Sequence, residues 1–222
     1  MAVDRTLWHA SFLPTEIPHF PCPRCSKPFL GIVKDTLHIE ETRSSKNNKK
    51  SPEWEPEWSD EKFVCLLSCS KCGDIVAVSG RISVEPNYDD DGDWQFAGFL
   101  EPMSMYPAPH IITLPQKLPS EVRSEMELAF QLFWSDFGAC ATKIRTSVER
   151  LMDHFKVARF RRAKDPKKPA APGKLKPLDL SSRIDKFIST TGAIVHKEHL
   201  HALRIAGNLG THNNTLTRTE ML

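Results

Sequence analysis

The sequence predicts an α+β chain: a small antiparallel sheet with a zinc-ribbon-like four-cysteine site over residues 1–115, then an all-α bundle over residues 116–222. Two observations carry this. Cys22-x2-Cys25 and Cys69-x2-Cys72 form two knuckles, each beside a short apolar segment. After the proline-rich stretch Pro102 to Pro119, the hydrophobic period changes from two to 3.6.

The elements follow in order. Residues 1–18, with Pro14 and Pro18, read as an irregular arm anchored by Trp8 and Phe12. Phe29 to Val33 is a short apolar segment. Residues 41–59 are polar and read as a long loop, in which Trp54 and Trp58 dock on the body. KFVCLLS (62–68), DIVAVSGRISV (74–84) and WQFAGFL (94–100) read as strands, with Ser79-Gly80 a candidate bulge or turn. Ser120 is the expected N-cap of a helix whose stripe is Val122, Met126, Ala129, Phe130, Phe133 and Trp134. Gly138 breaks that pattern, and a second helix follows with Ile144, Val148, Leu151, Met152 and Phe155 on one side. Residues 156–177 read as a basic, proline-rich loop. A shorter helix, Leu180 to Ile188, and a last one opening at His196 or Lys197 complete a bundle of at least four helices. Thr215 to Leu222 reads as a cap and first turn of another helix, which predicts a natural chain longer than this one.

Composition excludes little. With 40% hydrophobic and 26% charged residues, the chain is ordinary for a folded protein, and a net charge of +2 does not by itself argue for nucleic acid. No apolar run approaches the ~20 residues of a membrane span, and no signal pattern opens the chain. A cytoplasmic location, with six reduced cysteines, is expected.

Three constellations carry chemistry. Zn²⁺ takes four thiolates in a tetrahedron, and each Cys-x2-Cys turn supplies two, so Cys22, Cys25, Cys69 and Cys72 are the expected ligands of a structural zinc. A closed four-thiolate site leaves no open position for catalysis. Arg159, Arg161, Arg162, Lys164, Lys167 and Lys168 lie in one run, read either as a solvated loop or as phosphate contacts, with Phe160 as a stacking surface. In LHALRIAGNLGTHNN (200–214), helical spacing puts His201, Arg204, Asn208 and His212 in one sector and Leu200, Leu203 and Gly207 in the next. Ala206, Gly207 and Gly210 would admit a close backbone neighbour. The polar sector is either a solvent-facing surface or a seam facing a partner helix or substrate.

Behind a four-cysteine knuckle, the segments LPSEVRSEMELAF, RTSVERLM and LHALRIAGNLGTH resemble the prokaryotic family known as domain of unknown function 4145, grouped with the HEPN helical bundles. The resemblance covers residues 115–222. It implies a HEPN-like all-α bundle, a homodimer or a subunit of an antiviral defence complex, and no membrane. Many HEPN proteins are metal-independent endoribonucleases with an Arg-polar-x3-His pattern. Asn208-x3-His212 fits the polar residue and the histidine. Gly207 stands where the arginine is expected, and Arg204 lies one turn earlier. The resemblance thus implies His212 as proton carrier, Arg204 as phosphate clamp and Asn208 as orienting group. Three functions follow: a defence-associated module binding RNA, other nucleic acid or a partner protein; a metal-independent endoribonuclease; and a DNA-binding accessory protein.

Overall fold

The computed structural model describes residues 5–8, 11–26, 30–88, 92–163, 173–212 and 216–221. A curled, five-stranded antiparallel sheet, close to a half-barrel, dominates the first half. β3 (Glu61–Cys69) lies between β4 (Ile75–Tyr88) on one side and β1 (Leu30–Ile32) and β2 (His38–Glu41) on the other; β5 (Trp94–Tyr106) closes the far edge. Strand alternation sets the core face: Phe63, Cys65, Leu67 and Cys69 of β3 are buried, as are Val76, Val78 and Ile82 of β4. The β4–β5 register slips between Ser79 and Gly80, so of the bulge and the turn that this Ser-Gly pair allowed, the bulge forms.

The polar stretch after β2 is not a loop throughout. α1 (Arg43–Asn48) forms there, with Thr42 at its N-cap accepting from the Ser45 amide. Ser45 is buried; its hydroxyl donates to Glu41 at 2.7 Å and accepts from the Asp60 amide at 3.0 Å. A tertiary hydrogen-bond pair, rather than an apolar stripe, holds this helix. Trp54 docks with Lys49 above its ring, whereas Trp58 remains more than half exposed.

The helices begin with α2 (Ser120–Leu132) and α3 (Phe137–His154). The N-cap of α2 is Pro119, one residue before the expected Ser120. The break between the two helices falls at Phe133–Asp136; Asp136 caps α3 through the Ala139 amide, and Gly138 lies inside its first turn. α4 (Leu180–Thr191) ends on Gly192 in the left-handed conformation. α5 (Lys197–His212) packs along α3, and α6 (Arg218–Met221) is a single turn.

The expected fold needs correction. The N-terminal sheet is larger and more curled than a ribbon, and the C-terminal region is not an all-α bundle. Between α3 and α4 stands a two-stranded antiparallel sheet, β6 (Phe160–Ala163) with β7 (Lys174–Pro177). These strands, FRRA and KLKP, bury no apolar face, so they show no period-two hydrophobic signal. Backbone bonds hold them, continued by the Leu178 amide to the Arg159 carbonyl at 2.8 Å.

One hydrophobic cluster joins the sheet to α2 and α3. Its centre is aromatic: Trp8 lies 5.6 Å from Phe20, 6.3 Å from Phe133 and 6.1 Å from Trp134, ring centre to ring centre. The Arg218 guanidinium covers Phe133, Trp134 and Phe137 at 5.1–5.6 Å and reaches the Trp8 carbonyl at 3.5 Å. A second, smaller cluster packs α3 against α4 and α5 through Val148, Met152, Ile184, Phe187 and Leu200.

Candidate functional site

The four cysteines of the two knuckles converge. Their sulfurs all lie within 4.8 Å of one another, with Cys22–Cys72 and Cys25–Cys69 each at 3.6 Å. None is disulfide-bonded. Sulfurs at ~2.3 Å from a tetrahedral ion stand about 3.8 Å apart, so the quartet has the dimensions of a metal cage. The two turns match each other. The Ser26 amide bonds the Cys22 carbonyl and the Gly73 amide bonds the Cys69 carbonyl, both at 2.8 Å. Ser26 and Gly73, each next after its knuckle's second cysteine, both have positive φ, 57° and 72°. That conformation turns backbone amides toward the sulfurs. Amide donation from Cys72 brings the Cys69 thiol down to about 7, while burial pushes Cys22 up to about 12. A bound cation would remove that conflict by deprotonating the whole set. Cys65 and Cys140 are buried apolar residues away from the cage, their thiols raised by burial.

The basic run divides. Arg159 precedes β6, and Arg161 and Arg162 lie in it; Lys164, Lys167 and Lys168 lie outside the described residues. β7 adds Lys174 and Lys176, which the sequence reading left out because the segment carried no strand signal. Arg161 pairs directly with Lys176 across the ribbon, and both are exposed. Like charges opposite one another destabilise a strand pair, so the ribbon concentrates positive charge at a cost. Phe160 stands more than half exposed at its base.

Beneath the ribbon a cleft of about 350 Å³ opens between α3, the ribbon and the start of α4. Arg145, Arg150, Arg159 and Arg183 line it, together with Glu149, Asp153 and Asp179. Asp153 is the hub. Arg159 donates to it at 2.9 and 2.5 Å, Arg183 at 2.6 Å, and Arg150 lies at 3.9 Å. The Arg159 hydrogen bonds, then those of Arg183, hold the Asp153 carboxyl down to about 2. Arg183 is 7% exposed and also donates to the Val157 carbonyl. The Nε–H groups of Arg145, Arg183 and Arg204 are buried without a protein acceptor. Asp179 is held below the ordinary carboxylate range first by its bonds from Ser182, the Arg204 and Arg161 charges adding to this. That field ties ribbon, cleft and α5 together.

Asp153→Asn should therefore lower stability by about 2 kcal/mol at neutral pH, since it weakens the acceptor of a buried guanidinium. The folded-state value lies below the ordinary 3.8. The stabilisation is then complete above pH ~4 and disappears as pH falls through about 2. Urea midpoints measured from pH 6 to pH 2 should converge for the two proteins; a constant gap would contradict the assignment.

On α5, the seam turns inward. Leu200 and Gly207 are buried against α3, and Arg204 and Asn208 are half-buried. His212 ends the helix, and its side chain lies outside the described residues. A Cβ on Gly207 would overlap Arg145 Cβ and stand 2.9 Å from the Ala141 carbonyl; one on Gly210 would stand 2.8 Å from Ala141 Cβ. Leu203, grouped with the buried sector from the sequence, is 40% exposed; Ile205 and Leu209, on the side opposite Gly207, are 49% and 45% exposed.

With that geometry in view, two families match parts of the chain. Residues 127–222 match a domain of unknown function, DUF4145. Residues 10–103 match another, DUF8608. The DUF4145 segment contains the second half of α2, all of α3 to α6 and the basic ribbon; the DUF8608 segment contains the sheet up to Met103 of β5 and all four cysteines. No curated protein and no solved structure matches. Among the described residues, no helix is long and apolar enough to cross a membrane.

Proposed function

We propose that this protein is a zinc-stabilised nucleic-acid-binding module, cytoplasmic and part of an antiviral system, that holds RNA on the β6–β7 ribbon and the arginine-lined cleft below it. The observation that carries this is the exposed Arg161–Lys176 pair above a cleft with four arginines. Phosphates along the ribbon would offset its like-charge repulsion, and Phe160 offers a face for one base. The zinc reading rests on four thiols in a cage of tetrahedral size and does not involve the metal in chemistry. In this reading a second copy covers the side of α5 that carries the exposed Ile205 and Leu209, leaving the cleft accessible.

The test is fluorescence anisotropy with a labelled 20-nucleotide RNA and the matching DNA. Arg161→Ala/Arg162→Ala/Lys176→Ala should weaken RNA binding at least tenfold, and reduce the salt slope by about 2 for three lost phosphate contacts. Absence of binding at low salt, or a triple variant that binds like wild type, would refute the reading. Binding of the matching DNA alone would favour the accessory role on DNA.

The endoribonuclease reading draws on one observation: Arg204, half-buried on α5, has an Nε–H with no protein acceptor and acts electrostatically on the cleft. As in HEPN-type enzymes, Arg204 would hold phosphate, Asn208 orient it and His212 carry the proton. RNA cleavage that survives brief EDTA and is lost in His212→Ala, with folding unchanged, would establish it.

A further inference from the structure

The arginines of the cleft are not equally engaged. Arg159 and Arg183 are committed to Asp153. Arg145 pairs with Glu149, one turn further along α3, at 3.1 Å. Arg150 is exposed, and the carboxylate oxygens it faces, on Glu125 and Asp153, lie at 3.5 and 3.9 Å. Both distances exceed the ~2.7–2.9 Å of a charge-assisted hydrogen bond. Behind these groups the buried Arg183 keeps an Nε–H without a protein acceptor, as does Arg145. Four arginines face three carboxylates here, and the charges of Arg161 and Arg204 also reach Asp179. The cleft therefore has more positive charge than one phosphodiester would neutralise.

The cleft also ends. Asp153 belongs to α3 and binds Arg159 at the foot of the ribbon and Arg183 on α4, so it ties all three walls together. β7 runs directly into α4 through Leu178 and Asp179. A strand entering from the ribbon stops at this junction instead of passing through. A volume of about 350 Å³ lies at the low end for small-ligand sites and suits one nucleotide. Phe160 pairs with Pro177 across the ribbon's foot, and both rings line the cleft beside the arginines. On the far side is the first turn of α4, whose Ser182 amide is capped by Asp179. The amides of Leu180 and Ser181 precede it and have no acceptor within the helix, which favours an anion there.

We infer that the cleft binds a nucleotide phosphomonoester: the terminal phosphate of an RNA chain, or the same group on a free mononucleotide. Arg150 and Arg145 hold the phosphate, and Phe160 lies against the base of that one nucleotide. A monoester has close to two negative charges at neutral pH and a chain phosphodiester has one, so the excess charge of the cleft selects the end of a chain over its interior. Arg159 and Arg183 are positioning residues, fixed by Asp153. The inference rests on the nucleic-acid reading for the ribbon and adds the chemical group that the cleft selects.

The test uses one internally labelled 20-nucleotide RNA in three forms: with a 5′-phosphate, with a 3′-phosphate, and with hydroxyls at both ends. Titrations with 5′-AMP, 3′-AMP and adenosine accompany it. One phosphorylated form should bind at least tenfold more tightly than the hydroxyl form, and the corresponding mononucleotide should bind where adenosine does not. Arg150→Gln changes an exposed side chain with no close bond to lose. It should remove the preference while altering affinity for the hydroxyl form less than threefold. Arg161→Ala/Arg162→Ala/Lys176→Ala should do the reverse, weakening all three RNAs and preserving their ratio. Equal affinity for the three RNAs, with no mononucleotide bound, overturns the inference and leaves the nucleic-acid reading standing. Mononucleotide binding that is lost in Arg150→Gln, without any end preference among the RNAs, assigns the cleft to free mononucleotides. A preference or mononucleotide affinity untouched by Arg150→Gln places the phosphate elsewhere and overturns the inference.

Discussion

Cys69→Ser is expected to abolish metal binding and unfold much of the sheet. Cys69 is both a cage residue and the last residue of β3; it pairs with Leu30 of β1, and its amide bonds the Asp74 carbonyl at 2.9 Å. It is 2% exposed. A structural zinc site contributes on the order of 10 kcal/mol of binding free energy at neutral pH, which is comparable to the entire stability of a domain. A serine hydroxyl is a poor ligand, and the three remaining thiols would be left close together without a fourth ligand. Elemental analysis should give one zinc per wild-type chain and almost none in the variant, with a large fall in Tm. Metal-free wild-type protein that is well folded and melts with the variant would refute the cage. Iron in place of zinc would keep the geometry and change the ion.

The second large effect is expected at the α3–α5 crossing. Gly207→Ala removes a helix-interior glycine, which alone would stabilise by about 1 kcal/mol. Overlap outweighs that gain. The new methyl would meet Arg145 Cβ and the Ala141 carbonyl, atoms fixed to the α3 backbone rather than at the end of a flexible chain. The helices must separate, and every contact along the crossing loosens. A net loss of about 2–4 kcal/mol is expected, toward the upper range for overpacked sites. Gly31→Ala is the control, because a Cβ there meets nothing within 4 Å. Chemical denaturation of the two variants beside wild type gives the comparison. A Gly207→Ala protein as stable as wild type would mean that the helices do not cross so closely.

How much was legible from the sequence depended on what holds each element. The cysteine cage could be read because tetrahedral thiolate ligation imposes a spacing that survives any loop length between the knuckles. α5 could be read as a close-packed helix because Gly207 and Gly210 cost helix stability without packing to justify them. The exposure of Leu203 could not, since periodicity alone placed it with the buried Leu200. The β6–β7 ribbon was hidden by a sequence of arginines, lysines and prolines, and α1 by dependence on Ser45's buried hydroxyl. The full length of β4 and β5 was hidden because the pairing runs past the core into the exposed Tyr88–Trp94 end. Arg204 and Asn208 are half-buried on α5, and His212 lies outside what the structure describes at side-chain level.

The aromatic nest around Trp8 has a consequence for the order of folding. The sheet's hairpins and the α2–α3 pair close short loops, so they can form early. Trp8 and Phe20 must then find Phe133, Trp134 and Arg218, more than a hundred residues away. Closing loops of that length costs entropy before any contact rewards it. The nest should therefore condense last, with substitutions there speeding unfolding far more than they slow folding.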